Sequence, residues 1–144
     1  MNSNIALTRS DYRYFGRITT RWFDNDVYRH LNNTVYYSFF DTVIGAYLMS
    51  EGGLDPDRSE VIGLAVETHC EFHRAISFPE VVEAGLRVGR LGNSSVRYEI
   101  GIFVEGQASC AAHGYFVHVF VQRADNRPVP VPGRIRSALE RLLV

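Results

Sequence analysis

The apolar residues of this chain keep one spacing over an early segment and a different one afterwards. From Asn33 to about Ser50, Val35, Tyr36, Phe39, Phe40, Val43, Ile44, Tyr47 and Leu48 recur in pairs four residues apart. That spacing lays a broad apolar stripe along an α-helix, which at about 1.5 Å per residue is roughly 27 Å long. Gly52-Gly53 stops it, and Glu51 to Ser59 reads as a polar connection. Beyond it the period falls to two. Ile62, Leu64, Val66, Thr68, Cys70 and Phe72 alternate with Gly63, Ala65, Glu67, His69, Glu71 and His73, which predicts a half-buried strand with one apolar face.

Val82, Ala84, Leu86 and Val88 repeat that pattern, as do Val96, Tyr98, Ile100, Ile102 and Val104, with a hairpin turn at Leu91 to Ser94 between them. A turn at Glu105-Gly106 leads to a strand from about Ser109 to Gln122 that is apolar on both faces, as an interior strand is. Tyr12 to Trp22 has the aromatic and β-branched content of a first strand. The proline-bearing stretch from Asn126 to Pro132 ends the sheet, and Gly133 to Leu142 reads as a short terminal helix. A helix with so wide an apolar stripe needs a sheet to cover it. The expectation is an α+β fold, a curved antiparallel five-stranded sheet wrapped around one long central helix, as a single domain over residues 1–144.

With 46% hydrophobic residues the chain has material for one core. Lys and Arg number 15 against 16 Asp and Glu, a net charge of -1. That gives no overall field for nucleic acid or an anionic membrane, so a small molecule or a second protein is the expected partner. Cys70 and Cys110 are too few for a disulfide framework and are read as reduced thiols in strands. Without a charged leader or a bilayer-spanning apolar run, the expectation is a cytoplasmic protein.

The chemistry-bearing run is Arg21-Trp22-Phe23-Asp24-Asn25-Asp26-Val27-Tyr28-Arg29-His30-Leu31-Asn32-Asn33. It joins the first strand to the helix. Backbone N–H groups of a first helical turn have no intrahelical acceptor and sit at the positive end of the helix dipole, where a polarised carbonyl oxygen is stabilised. A carboxylate beside them is ionised at neutral pH, with an unperturbed pKa near 3.9. Taken alone, Asp24 and Asp26 are both equally readable as turn formers.

The spacing Asp-x-Asp-x-x-x-His-x-Asn-Asn, followed by Tyr36, Phe39, Phe40 and Asp41, resembles the signature of the 4-hydroxybenzoyl-CoA thioesterase branch of hot-dog-fold acyl-CoA thioesterases. His73 to Pro79, Leu91 to Ser95 and Arg127 to Pro132 follow in the order found in that family, so the resemblance covers about Tyr14 to Pro132. It implies a hot-dog fold and hydrolysis of an acyl-coenzyme A to free acid and coenzyme A. It makes Asp26 the catalytic carboxylate, as nucleophile or as general base for water. It also places the Asn33 N–H in the oxyanion site, with Asn32 as helix cap.

His30 either orients the carboxylate or donates to the backbone. Tyr36 walls the pocket or packs in the core, and Asp24 holds a turn. Asp41 is expected to pair with an arginine. Arg29 stands where the family commonly has glycine and is read, with Asn32 and Tyr36, as lining the substrate site. Arg90, Asn93 and Ser94 are the candidate coenzyme A contacts. Relatives pair, so a homodimer or homotetramer is implied. No cofactor is implied beyond coenzyme A as part of the substrate. The histidines and cysteines lack a zinc spacing, so no metal site is expected. A hydratase of this fold would carry Asp and His five residues apart with a proline between, whereas Asp24 and His30 are six apart without one. A non-catalytic acyl-CoA or acyl-carrier-protein binding module is the remaining alternative.

Overall fold

The structure is a computed structural model and describes residues 7–144. Strand β1 (Tyr14–Thr19) is followed by helix α1 (Asn33–Ser50), strands β2 (Val61–Phe72), β3 (Val81–Leu91), β4 (Ser95–Val104) and β5 (Cys110–Gln122), and helix α2 (Gly133–Glu140). The five strands form one sheet in the order β1-β3-β4-β5-β2, each pair antiparallel. The expected helix is present over its full length. β1 is shorter than expected, because the chain turns into a 3₁₀ segment at Trp22–Asp24.

Tyr36, Phe39, Phe40, Val43, Ile44, Tyr47 and Leu48 bury the apolar stripe of α1 in one core with Leu86, Tyr98, Ile100, Ile102, Phe116 and Phe120 of the sheet. Burying one such side chain is worth about 2 kcal/mol. Losing two or three of these contacts would therefore consume most of a typical domain's margin of about 5–15 kcal/mol. Gly16 lets β1 approach the helix: a Cβ there would lie 3.2 Å from a methyl of Val43.

β2 departs from the simple alternation. A bulge at Val66 shifts the register between Ala65 and Glu67, so one extra residue enters the strand and exchanges its faces. Gly63 and Ala65, opposite Phe120 and His118, face α1; beyond the bulge, Thr68 and Cys70, opposite Phe116 and Gly114, do so. Ile62 and Leu64 therefore do not share a face with Cys70 and Phe72, contrary to the period-two reading. On the outer face Glu71 lies opposite His113. The His73 ring stacks on that of His113 with Nε2 2.6 Å from Nδ1, although β2 has ended at Phe72.

β1 covers β3 only from Val81 to Leu86. Past that point the backbone of Val88 is taken up by the end of the chain: its N–H donates to the Leu142 carbonyl at 2.9 Å and its carbonyl accepts the Val144 N–H at 3.0 Å. At the opposite edge, the outer side of β2 has no strand beside it among the described residues, and β2 exposes Leu64, Val66 and Phe72.

Candidate active site

The loop from Asn25 to Asn32 is held by its backbone. The N–H of Asp26 donates to the His30 carbonyl at 2.8 Å and that of Arg29 to the Asp26 carbonyl at 3.0 Å. Leu31 donates its N–H to the Ile76 carbonyl at 2.7 Å, clamping the loop to the segment that precedes β3. Asn25 strengthens the clamp, its Oδ1 accepting the Phe78 N–H at 3.0 Å. Ser77 completes it by donating its hydroxyl to the Arg29 carbonyl at 2.7 Å. The Phe78-Pro79 peptide bond is cis.

Asp24 and Asp26 are separated by environment. Asp24 is buried, and its carboxylate accepts the Arg21 N–H at 2.7 Å and the Arg21 guanidinium at 2.9 Å. Its carbonyl accepts the Asn32 N–H. It holds the turn, as expected of an aspartate there. Asp26 is half-buried, and only its Oδ1 is engaged, accepting the Tyr28 N–H at 2.8 Å. Such a bond between an aspartate and the amide two residues on is an Asx-turn, which fixes the carboxylate and leaves its second oxygen unengaged among the described residues. Asp26 lines a cleft of about 460 Å³ with Asn25, Arg29 and Ser77, walled by Trp22 and Phe78, whose rings meet edge to face at 5.8 Å.

Asn32 caps α1, its Oδ1 accepting the Thr34 N–H at 3.0 Å and the Thr34 hydroxyl at 2.9 Å, and its carbonyl accepts the Val35 N–H. The N–H of Asn33, first residue of the helix, precedes any intrahelical acceptor. Asn33 opens with His30, Tyr36, Phe72 and Arg74 onto a second, more apolar hollow of about 320 Å³. The backbone of His30, rather than its ring, holds Asp26. Burial pushes the Tyr36 phenol up to about 12, so it stays protonated at neutral pH. Arg74, which sequence reasoning passed over, has its Nη2 buried without a hydrogen-bond partner among the described residues. A cation between the end of β2 and the apolar Ala75-Ile76 pair was the available signal.

The remaining candidates lie elsewhere. Arg90, Asn93 and Ser94 sit at the β3–β4 hairpin, whereas Ser77 and the loop adjoin the start of β3. The ten residue steps from Val81 to Leu91 correspond to roughly 33 Å, so within one chain these residues do not meet Asp26. The carbonyl of Asn93 accepts the Val131 N–H and the Arg136 guanidinium. Asp41 is exposed and forms no ion pair among the described residues. It stands with Thr42 on the exposed side of α1, opposite the buried Phe39, Phe40 and Val43. Both cysteines are free, and burial pushes the Cys70 thiol up to about 12, which disqualifies it as a thiolate nucleophile. No group of three metal-ligating side chains converges among the described residues.

One long helix wrapped by five antiparallel strands, with a carboxylate loop leading into the helix, is the hot-dog architecture. Residues 28–111 match the family model of the thioesterase superfamily, and the chain belongs to that family as a thioester hydrolase. It is 50% identical to the PA5185 protein of Pseudomonas aeruginosa, with 96% of this chain and 97% of that one covered and a TM-score of 0.95. PA2801 of the same organism, named as a candidate thioesterase, is 28% identical over 87% of this chain and 96% of that one, with a TM-score of 0.80. The 1,4-dihydroxy-2-naphthoyl-CoA thioesterase Slr0204 of Synechocystis shares the fold at 13% identity over 88% of this chain and 94% of that one, with a TM-score of 0.79. No curated protein matches the chain. Among the described residues no helix is long and apolar enough to cross a membrane.

Proposed function

We propose that the chain hydrolyses acyl-coenzyme A thioesters with Asp26 as the catalytic carboxylate. The observation that carries this is the half-engaged Asp26, pinned by Tyr28 through one oxygen and lining an open cleft with the other, on the loop that feeds the start of α1. The carboxylate attacks the thioester carbon, the C–S bond breaks to release the coenzyme A thiolate, and water then hydrolyses the mixed anhydride. Alternatively, Asp26 takes a proton from water as the water attacks the same carbon. In either route the oxyanion is held by the Asn33 N–H at the positive end of α1. Asn32 fixes that helix start, while Tyr36 and His30 border the hollow on the oxyanion side of the substrate. No cofactor is required beyond the coenzyme A of the substrate, and the free thiols of Cys70 and Cys110 suit a cytoplasmic setting.

A second copy of the chain completes the site. The open edge of β2 exposes Leu64, Val66 and Phe72, while Trp22, Phe23, Val27 and Tyr28 are 71%, 89%, 90% and 78% exposed on the catalytic loop. Unpaired edges and contiguous apolar surface of this kind are normally covered. Antiparallel pairing of two β2 edges sets the Phe72 end of one protomer beside the Val61 end of the other. That brings the partner's β3–β4 hairpin toward the loop, which supports Arg90, Asn93 and Ser94 as coenzyme A contacts across the interface.

Thiol release from a panel of acyl-coenzyme A esters tests this reading. Wild type is expected to turn over. Asp26→Asn keeps the oxygen that Tyr28 holds and is expected to remain folded and inactive. Ligand binding without cleavage of any thioester by wild type would replace the reading with that of a binding module. Sedimentation showing an active monomer would remove the shared site.

A further inference from the structure

Arg29 has a φ of 65°, in the left-handed region where a side chain costs about 1 kcal/mol relative to glycine. The contacts that shape the turn use only its backbone, the N–H donating to Asp26 and the carbonyl accepting from Ser77. Arg29 is one of the residues lining the Asp26 cleft, and its guanidinium has no ion pair or hydrogen bond to any described residue. A strained position occupied by an unpaired cation beside a reactive carboxylate points to recognition of an anion.

Building on the thioesterase reading above, we propose that Arg29 selects thioesters whose acyl group ends in a carboxylate a few carbons from the thioester carbonyl. The hydrogen bond between residues 26 and 29 closes a turn, which holds their Cα atoms within about 7 Å. Both residues line the same cleft. A carbonyl carbon against Asp26 is therefore separated from the guanidinium by the span of a short acyl chain. The phosphates of coenzyme A, at the far end of the pantetheine arm, lie well beyond that span. The planar guanidinium accepts a carboxylate in a two-bonded fork, which a lysine would not reproduce. Trp22 and Phe78 exclude water from one side only, Trp22 being 71% exposed, so the selection is moderate and weakens as salt rises.

The test compares kcat/KM for glutaryl and pentanoyl thioesters, each carried on coenzyme A and on N-acetylcysteamine, which has no phosphate. Wild type is expected to favour glutaryl on both carriers. Arg29→Gln is expected to lower the glutaryl-to-pentanoyl ratio about tenfold on both, the loss of one charge-assisted contact, and Arg29→Lys to retain part of it. An unchanged ratio in Arg29→Gln, with wild type turning over the pentanoyl esters, overturns this inference and leaves the thioesterase reading intact. A loss that appears only on coenzyme A, whatever the acyl group, also overturns it and assigns the cation to phosphate. Absence of turnover on all four esters by a wild type that cleaves other acyl-coenzyme A esters overturns this inference alone, whereas absence of turnover on every ester of the panel removes the underlying reading and this one with it.

Discussion

Where β3 begins, the chain exposes Trp22, Phe23, Val27 and Tyr28 and leaves Arg29 without a partner among the described residues; where β3 turns into β4, Val131 and the α2 residues Ile135, Ala138 and Leu139 are buried. At that second end the Arg136 guanidinium donates to the carbonyls of Gly92 and Asn93. The Tyr47 hydroxyl at the far end of α1 donates to the Ala138 carbonyl. The open end is instead shaped by backbone hydrogen bonds and by the side chains of Asp24, Asn25, Asn32 and Ser77, and most of its loop is exposed. One end supplies cohesion. The other holds a few polar atoms in place and keeps them reachable, as a site that must admit substrate requires.

Changes at the two ends should consequently fail differently. The largest effect is expected from Asp26→Asn, a loss of about a thousandfold or more in kcat with an unfolding midpoint close to wild type; parallel thiol-release assays and denaturant titrations would show a contrast, and a collapse of both together would break it. Leu139→Ala at the closed end is expected to cost about 2–5 kcal/mol through the cavity it leaves. Activity per folded molecule should persist.

His118 lies at the closed end, opposite Val96, with Nδ1 3.1 Å from the Tyr98 hydroxyl, and burial pushes its pKa down from 6.5 to about 4. Above pH 6.5 the ring is neutral folded or unfolded and stability is full. As pH falls from 6.5 toward 4 the unfolded chain takes up a proton that the folded chain refuses, and on the order of 3 kcal/mol is lost. Urea unfolding across that range should show the decline, and His118→Gln should flatten it. The smallest effect is expected from Asn32→Ala, about 1 kcal/mol for the lost cap. A larger fall in activity than in stability would locate its main role at the oxyanion site.

The helix was legible to the residue because its apolar positions keep one period from Val35 to Leu48 and a glycine pair follows. The bulge at Val66 was not, since an added residue between alternating ones leaves the pattern of the sequence intact while reversing the faces. Strand order was equally hidden, because hydrophobic alternation says which face is buried and nothing about which strands are neighbours. Arg90, Asn93 and Ser94 entered as candidates through the family resemblance alone, which does not reveal that one chain holds them a sheet's length from Asp26. Asp24 was readable from residue type, an aspartate in a turn accepting nearby amides. Asp26 stood out only through the motif, because what distinguishes it from Asp24 is a free oxygen and a cleft, and both come from the fold. Arg74 carried a weak signal that a pattern of apolar residues gives no reason to weigh.

The pairing of Val88 with Leu142 and Val144 has a practical consequence for anyone handling the protein. Those few residues seal the flank of β3 that β1 does not reach. Trimming them, or fusing a bulky peptide so close that they lift away, would bare the amide and carbonyl of Val88 and invite foreign strands onto that flank. A purification handle on this side therefore needs a spacer long enough to leave these residues seated.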